Sequence, residues 1–523
     1  MKNLPVLCKL IFLFAFLSGS AVAPAQTSPL YNSLPVGKYA VGFKIFTITD
    51  SSRISKPEYN YLGEKYAGDR TKKITIHLWY PAVPNSGTSR ITYGDYCYNG
   101  RLTSTGDTIS AVEKDQQLLN SRGSVERWFG KTTDDAWGRL LKTPMLASIN
   151  ARPGNEKFPL LVGMLRTIST SVTNELLASN GYVVAMVIDD QSRLDYPELY
   201  LYEIPDMQFT ISYLQKHEAI DAGNIGTFGF SGSGFTQVLF AMNDYRVKAV
   251  ADIESGIYMD GLFQRFSGSN YYIPSKLQVP FLHIFSRDLS KEEKYIGDFE
   301  NKTRSSKRYR LLLNQPKLHH WDSAAEGYSS CIILQNRGTE QANIKKSFEI
   351  ESYYLLNFFN AELKSDAAAQ KFMSVKPDLG ERQPALWDIS ILEPVTPSPD
   401  YDEFEEIIAK KGIKAAVDIF NNTFKNDTST NLRQGFMLNA LGSKFLRGKQ
   451  YEEAIAIFKL NIQLHPEDAN LHDSLAEACE AAGDKAAMKQ SSRRVIDILA
   501  KKDTLNDFEK GLKASAEKRL KAK

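Results

Sequence analysis

The residues best suited to chemistry lie in the stretch GFSGSG, at positions 229–234. Apolar residues lead up to Gly229, and a segment with helical character, FTQVLFAMN, follows the small residues. A strand, a sharp turn and a helix in this order are typical of the nucleophile elbow, whose pattern is Gly-x-Ser-x-Gly. Ser231 occupies the nucleophile position, whereas Ser233 stands where the pattern has its second glycine. The stretch predicts acyl transfer by Ser231. A glycine-rich turn without chemistry is the alternative.

A serine nucleophile needs an imidazole base and a carboxylate that orients the imidazole. On the elbow fold the three follow in the chain order serine, acid, histidine. The chain has seven histidines. Two precede Ser231, two lie in the C-terminal region, and His283 is inside the apolar strand PFLHIF, where we expect a core histidine. The remaining pair, His319 and His320, follows the last core strand, RYRLLLN. We expect His319 to be the base and His320 to point elsewhere, with His320 as the alternate.

Three acids are candidates for the orienting carboxylate. Asp252 and Glu254 belong to the strand VKAVADIE, and Asp288 follows the strand PFLHIF. Asp252 lies within its strand, where a carboxylate would need a buried partner. Glu254 lies at the carboxyl end of the strand, which is where parallel sheets place their sites. From the residues alone, Glu254 and Asp288 both remain candidates.

Length and composition limit the protein class. A chain of 523 residues with 42% hydrophobic residues can form more than one packed domain. The net charge is +3, and no run of lysine and arginine stands out, so nucleic acid is not an expected partner.

The N-terminus has two lysines, the apolar run LIFLFAFL and the cleavage-like triplet Ala23-Pro24-Ala25. These features predict a signal peptide over 1–25, a secreted or periplasmic protein, and no integral membrane segment after cleavage.

The pattern after the signal peptide predicts an α/β fold followed by an all-α region. Buried strands alternate with helices from Phe158 onward, which indicates a mostly parallel sheet covered by helices. We expect a hydrolase-type domain over 26–365, with 88–150 as an insertion or lid. A linker should cover 366–400, where PVTPSPD stands, and a helical domain should cover 401–523.

The C-terminal region fits a tetratricopeptide repeat around 435–466. The matching positions carry the small and large side chains of the 34-residue consensus: Leu438, Leu441, Gly442, Phe445, Ala454, Phe458 and Pro466. A weaker copy follows, and a generic helical hairpin is the alternative. Such a repeat could bind a protein or peptide partner.

The segments FPLLVGML, LASNGYVVAMVID and IGTFGFSGSGFTQ, with the late histidine, resemble the platelet-activating-factor acetylhydrolases and related dienelactone-hydrolase-like enzymes. The resemblance covers about residues 35–360, and it implies the α/β-hydrolase fold. It implies that the acid is Glu254, where the family has aspartate, and that the base is His319. It also implies backbone donors to the oxyanion at Gly232 and at Thr167.

The sequence departs from the family's pattern at the first oxyanion loop, where Leu165 and Arg166 replace His-Gly.

Together, these observations predict a secreted serine hydrolase that cleaves a small carboxylic ester without a cofactor or metal. The alternative is a catalytically inactive hydrolase-like domain that acts with the repeats as a scaffold. The aromatic residues of the insertion could line the substrate site or form the insertion's own core: Tyr93, Tyr96, Tyr98, Trp128 and Trp137.

Overall fold

A computed structural model describes residues 28–55, 58–59, 63–65, 68–87, 89–99, 110–165, 168–188, 201–258, 260–286, 299–315, 317–374, 386–425, 427 and 430–522. The expected signal peptide, Arg166, Thr167 and Asp288 therefore lie outside the described residues. Within the described ranges, no helix is both long enough and apolar enough to cross a membrane.

The core is a sheet that has eleven strands among the described residues. In chain order they are β1 (Ala40–Ile54), β2 (Thr71–Ala82), β3 (Arg90–Thr92), β4 (Pro144–Ile149), β5 (Phe158–Leu165), β6 (Val183–Ile188), β7 (Ile220–Phe230), β8 (Val247–Ile253), β9 (Phe281–Ser286), β10 (Arg308–Leu313) and β11 (Trp387–Leu392). Their order across the sheet is β11-β10-β9-β8-β7-β5-β6-β2-β1-β4-β3. Strands β5 to β10 pair in parallel, and β2 runs antiparallel to β1 and β6. The predicted mostly parallel α/β sheet is confirmed, and its arrangement is consistent with an α/β-hydrolase fold.

Helices cover the sheet and then continue alone. Over the sheet region they are α1 (Tyr93–Asn99), α2 (Ala111–Phe129), α3 (Asp134–Leu141), α4 (Ser171–Ser179), α5 (Glu203–His217), α6 (Gly232–Asn243), α7 (Asp260–Ser267), α8 (Ala325–Ser329), α9 (Gln341–Leu363) and α10 (Ala367–Ser374). The C-terminal helices are α11 (Tyr401–Phe424), α12 (Gly435–Arg447), α13 (Tyr451–Leu464), α14 (Ala469–Ala481), α15 (Lys485–Leu499) and α16 (Asp507–Lys521).

Strand β6 shows why the sequences of the central strands are continuous apolar runs. All six residues of VVAMVI are buried. Val184 and Met186 pack into the apolar cluster on one face of the sheet, while Val183 and Ala185 pack into the cluster on the other face. Because both faces are covered, successive residues that point to opposite sides must all be apolar.

The segment expected as an insertion is built into the sheet rather than laid over it. Strand β4 pairs in parallel with β1, and β3 pairs with β4, so this segment extends one edge of the sheet. Tyr93, Tyr96 and Trp137 are buried in the same apolar cluster as one face of the sheet. Trp128, at the end of α2, is 42% exposed. Most of the insertion's aromatic residues therefore belong to the core, and Trp128 does not.

A buried carboxylate ties this edge to the rest of the domain. Glu175 of α4 accepts hydrogen bonds from the Tyr31 hydroxyl at 2.5 Å and the Tyr96 hydroxyl at 2.6 Å. It also accepts the backbone N–H groups of Leu146 at 2.6 Å and Ala147 at 3.2 Å. Burial raises the pKa of Glu175. One side chain thus joins the N-terminal segment, α1, α4 and β4.

The segment expected as a linker, 366–400, contains α10 and β11. Strand β11 pairs antiparallel with β10 along its whole length, from Arg308 opposite Leu392 to Leu313 opposite Trp387. The sequence WDISIL alternates apolar and polar residues, as an edge strand with one covered face does. Without β11, strand β10 would end the sheet with unpaired backbone groups, and β11 pairs with those groups. The prediction of a linker over 366–400 missed this strand.

Residues beyond β11 are helical, as the all-α prediction requires. A side chain at Gly442 of α12 would lie 2.6 Å from the Phe458 ring of α13, so these two helices cross closely because position 442 is glycine. This small-to-large contact agrees with the spacing from which the repeat was inferred. The assignment to the tetratricopeptide class itself stays a prediction.

Candidate active site

The nucleophile elbow is formed where β7 passes into α6. Strand β7 ends at Phe230, and α6 begins at Gly232, so Ser231 alone makes the turn. Its φ of 58° and ψ of −133° lie outside the regions that a residue with a side chain ordinarily adopts. The neighbouring backbone holds this conformation, because Ser231 N–H donates to the Ile253 carbonyl at 2.9 Å, and Gly234 N–H donates to the Ser231 carbonyl at 2.9 Å.

Two glycines allow the strand and helix to approach each other at the elbow. A Cβ on Gly229 would lie 2.7 Å from the Ser233 carbonyl oxygen, and a Cβ on Gly234 would lie 3.0 Å from the Gly229 carbonyl oxygen. The tight contact therefore falls on positions 229 and 234. Ser233, which stands where the usual pattern has glycine, keeps its side chain in a buried position. Its departure from the pattern leaves the elbow intact.

His320 is the histidine that faces Ser231. Its Nε2 atom lies 3.0 Å from Ser231 Oγ, within hydrogen-bond distance. The Phe230 ring stacks on the imidazole with centroids 4.8 Å apart and planes 22° apart, and the Trp321 ring meets it edge to face at 5.4 Å. These two aromatic rings restrict the imidazole to an orientation in which Nε2 points at the serine.

The expectation that His319 faces the serine is wrong, and the local turn explains why. Residues 320–323 form a single 3-10 turn, and His319 is its N-cap residue. His319 Nδ1 accepts the Trp321 N–H at 3.2 Å, and the His319 N–H donates to Asp322 Oδ2 at 2.7 Å. A capping side chain must fold back onto its own turn, so the next residue, His320, is the one directed towards β7.

Glu254 completes the chain of contacts. Its Oε2 atom lies 3.5 Å from His320 Nδ1 and accepts a hydrogen bond from Ser286 Oγ at 3.2 Å. Glu254 follows β8 directly, has a left-handed φ of 51°, and donates its N–H to the Ile284 carbonyl. Its side chain is 1% exposed. Glu254 thus lies beside the imidazole that faces the serine, as expected from the sequence. That imidazole belongs to His320 rather than to His319.

Ser286 was not singled out from the sequence. It is the last residue of β9, and β9 pairs with β8. This position at the end of a neighbouring strand is the only sequence signal that could have identified Ser286 as a site residue. Its hydroxyl donates to Glu254 Oε2, the same oxygen that faces His320, and this hydrogen bond holds the Glu254 side chain in one rotamer.

Two further buried carboxyl groups surround this turn. Asp322 pairs with Arg337 at 2.9 Å, and burial raises the pKa of Asp322 to about 6. Glu351 of α9 is 1% exposed and hydrogen-bonds with Ser323, the last residue of the turn. Burial, and then the negative charge of Glu254, raise the pKa of Glu351 well above its usual value. Carboxyl groups thus anchor both ends of the turn that carries His320.

Asp252 has the buried partner that its position within β8 requires. Its Oδ1 atom contacts Nδ1 of His283 on β9, and both side chains are buried. The pair joins the adjacent strands β8 and β9, and Asp252 is the last residue but one of β8. His283 is therefore a core histidine, as expected, and Asp252 is engaged there.

The oxyanion donors are described only in part. Gly232 opens α6, so its N–H belongs to the first helical turn, whose N–H groups have no acceptor within the helix. Leu165 ends β5. Arg166 and Thr167, the expected source of the second donor, lie outside the described residues, as does Asp288.

The arrangement has the parts of a nucleophile with an adjacent base and an orienting acid. The three side chains come from the carboxyl ends of β7 and β8 and from the segment after β10, which the parallel sheet brings to one edge. A hydroxyl, an imidazole and a carboxylate in this order of contact can perform nucleophilic attack with general-base assistance.

Comparisons with known proteins add a structural likeness. No protein-family model matches the chain, and no curated protein matches it. Among solved structures, a ferulic acid esterase from Streptomyces cinnamoneus is similar to it, with 18% sequence identity and a TM-score of 0.44. The match covers 69% of this chain and 98% of that one.

Proposed function

We propose that the protein is a serine hydrolase that cleaves a carboxylic ester through an acyl-enzyme on Ser231. His320 acts as the base, and Glu254 orients its imidazole. The observation that carries the proposal is the continuous line of contacts from Ser231 Oγ to His320 Nε2 at 3.0 Å, and from His320 Nδ1 to Glu254 Oε2 at 3.5 Å. The longer second contact is compatible with a free enzyme, in which catalytic hydrogen bonds are often loose.

The proposed reaction has two halves. Ser231 Oγ attacks the ester carbonyl carbon while its proton moves to His320 Nε2, and the carbonyl oxygen becomes an oxyanion near the Gly232 N–H. The intermediate then expels the alcohol, which leaves with the proton from His320. In the second half, water gives a proton to His320 and attacks the acyl-enzyme. The second intermediate then expels Ser231 Oγ, which takes the proton back from His320, and the acid product leaves.

The nucleophile is tested by labelling and by substitution. We expect a fluorophosphonate probe to label the purified protein, and Ser231→Ala to abolish both labelling and hydrolysis of p-nitrophenyl acetate. The matched control is Ser233→Ala, two residues away in the first turn of α6, which should retain both. Loss of activity in Ser233→Ala but not in Ser231→Ala would contradict the proposal. No labelling of the unsubstituted protein would favour the inactive scaffold.

The base is tested by comparing two neighbouring histidines. We expect His320→Ala to lower kcat by at least about 100-fold, because general-base assistance contributes about 10²–10⁴-fold. His319→Ala should lower kcat far less, since its ring caps the turn and does not contact Ser231 in the described structure. The opposite ranking of the two variants would restore His319 as the base.

We also infer that the hydrolase works outside the cytoplasm, since residues 1–25 carry the lysines, apolar run and small-residue triplet of a signal peptide. N-terminal sequencing of the exported protein should begin after Ala25. The C-terminal helices are proposed to hold tetratricopeptide units that bind a peptide partner. A pull-down with residues 401–523 deleted would test whether any captured partner needs them.

A further inference from the structure

A row of aromatic side chains leads from the candidate active site to the surface. The row, called here the aromatic wall, consists of Phe230, Trp321, His319 and Trp128. The Phe230 and Trp321 ring centroids are 5.5 Å apart, those of Trp321 and Trp128 are 5.8 Å apart, and those of Trp128 and His319 are 5.3 Å apart. Because Phe230 and Trp321 also contact His320, the wall begins at the reacting groups.

The outer end of the wall is held in an exposed position by the fold. Trp128 is 42% exposed, whereas the next residue, Phe129, is buried and lies under the Arg337 guanidinium at 5.2 Å. Arg337 in turn pairs with Asp322, in the turn that carries His320. Phe129 therefore anchors the end of α2 beside the histidine turn, and Trp128 presents its indole next to the site. An exposed apolar surface beside a candidate active site can serve as a binding surface for a substrate group.

The position of the wall indicates which half of an ester it would contact. The imidazole that takes the serine proton later gives it to the leaving oxygen, so the alcohol half of the ester leaves on the histidine side. The wall lies on that side, since Phe230 and Trp321 contact the His320 ring and Trp128 contacts Trp321. It is therefore placed to contact the alcohol half rather than the acyl half.

The chemistry of the wall favours a flat aromatic ring. Aromatic side chains attract another ring in offset or edge-to-face contact beyond simple burial. A sugar would need hydrogen-bonding groups, but two of the polar groups beside the wall already have partners within the protein. His319 Nδ1 accepts the Trp321 N–H, and Asp322 is paired with Arg337.

We propose that the aromatic wall binds an aromatic ring in the alcohol half of the ester, so that arylalkyl esters are the preferred substrates. This proposal rests on the proposed ester hydrolysis at Ser231. A ring in the alcohol half would lie against Trp321 and Trp128 while the carbonyl carbon faces Ser231 Oγ.

Two matched ester pairs test the proposal on the full-length mature protein. The first pair, 2-phenylethyl acetate and 2-cyclohexylethyl acetate, differs only in the ring of the alcohol half. The second pair, methyl 3-phenylpropanoate and methyl 3-cyclohexylpropanoate, differs in the same way in the acyl half. We expect kcat/KM to favour phenyl by about 2–10-fold in the first pair, as an aromatic contact would give, and not in the second. Simple hydrophobicity would favour cyclohexyl in both.

Variants of Trp128 connect that preference to the wall. Trp128→Leu should remove the phenyl preference of the first pair, and Trp128→Tyr should keep it. The control is Tyr245→Leu, which removes an aromatic side chain that is 90% exposed in the turn between α6 and β8 and should change neither the preference nor the activity.

Three outcomes would overturn the proposal while leaving ester hydrolysis intact. They are no phenyl preference in the first pair, a phenyl preference confined to the second pair, and a preference that survives in Trp128→Leu. Faster cleavage of an acetylated sugar than of either acetate, lost in Trp128→Leu, would assign the wall to a sugar and also overturn it. If no ester is cleaved and the fluorophosphonate probe does not label Ser231, the proposed function itself fails.

Discussion

Replacing Ser231 by glycine should give a more stable protein than replacing it by alanine, while both changes abolish catalysis. The Ser231 φ of 58° and ψ of −133° form a conformation that glycine adopts readily and that a residue with a Cβ adopts only under constraint. Such strained conformations cost about 1–3 kcal/mol each. Glycine loses more chain entropy on folding than alanine, by about 0.5–1 kcal/mol. The difference between the two terms leaves Ser231→Gly more stable than Ser231→Ala by about 0.5–2 kcal/mol.

Ser231→Ala is the matched reference because both variants lack the hydroxyl and its contact with His320. They differ only in the Cβ that the elbow must accommodate, so the difference in free energy of unfolding measures the strain at this one position. A second control is Gly229→Ala. Its Cβ would lie 2.7 Å from the Ser233 carbonyl oxygen, so this variant should be less stable than the unsubstituted protein.

Equilibrium urea unfolding, followed by circular dichroism, measures these differences, and thermal melting checks them. An advantage of 1 kcal/mol raises the melting temperature by about 2–4 °C in a domain of about 150–250 residues, and by less in this larger domain. Equal stabilities of Ser231→Gly and Ser231→Ala, or a less stable glycine variant, would refute the claim that the elbow strains its nucleophile.

Three further predictions concern a carboxyl group beside the site, the buried carboxylate at the sheet edge and the C-terminal helices. Glu351→Gln should flatten the pH dependence of stability: burial raises the pKa of Glu351 above its usual 4.5, so its contribution is present below pH 4.5 and is lost as the pH rises through the raised pKa. Urea unfolding between pH 5 and 8 measures this, and a variant whose advantage over the unsubstituted protein does not grow with pH would contradict it. Glu175→Ala should lower the free energy of unfolding by about 3 kcal/mol or more, since each unpaired buried donor costs about 1–3 kcal/mol; Glu175→Gln, which keeps an acceptor, should lose less, and equal losses would count against this account. Truncation after Val395 keeps β11 in the sheet and should preserve hydrolysis of p-nitrophenyl acetate; a folded but inactive product would show that the C-terminal helices contribute to the site.

The sequence alone predicted the fold class and the region of the site. Continuous apolar strands such as VVAMVI are typical of a sheet covered on both faces, and their alternation with helices indicates the α/β class without any knowledge of distant contacts. The order of Ser231, Glu254 and the histidine pair along the chain predicted that they would meet at one edge of the sheet. The structure places Glu254 and Ser231 there because both directly follow adjacent parallel strands.

Tertiary structure decided what depends on direction rather than on order. His319 and His320 are identical in residue type and adjacent in the chain, so no pattern distinguishes them. The choice is made by the 3-10 turn, which uses His319 as its cap and directs His320 to Ser231. Strand β11 and the position of Trp128 beside Trp321 likewise depend on partners far along the chain, since an edge strand and an exposed indole acquire their surroundings only when the sheet and α2 are assembled.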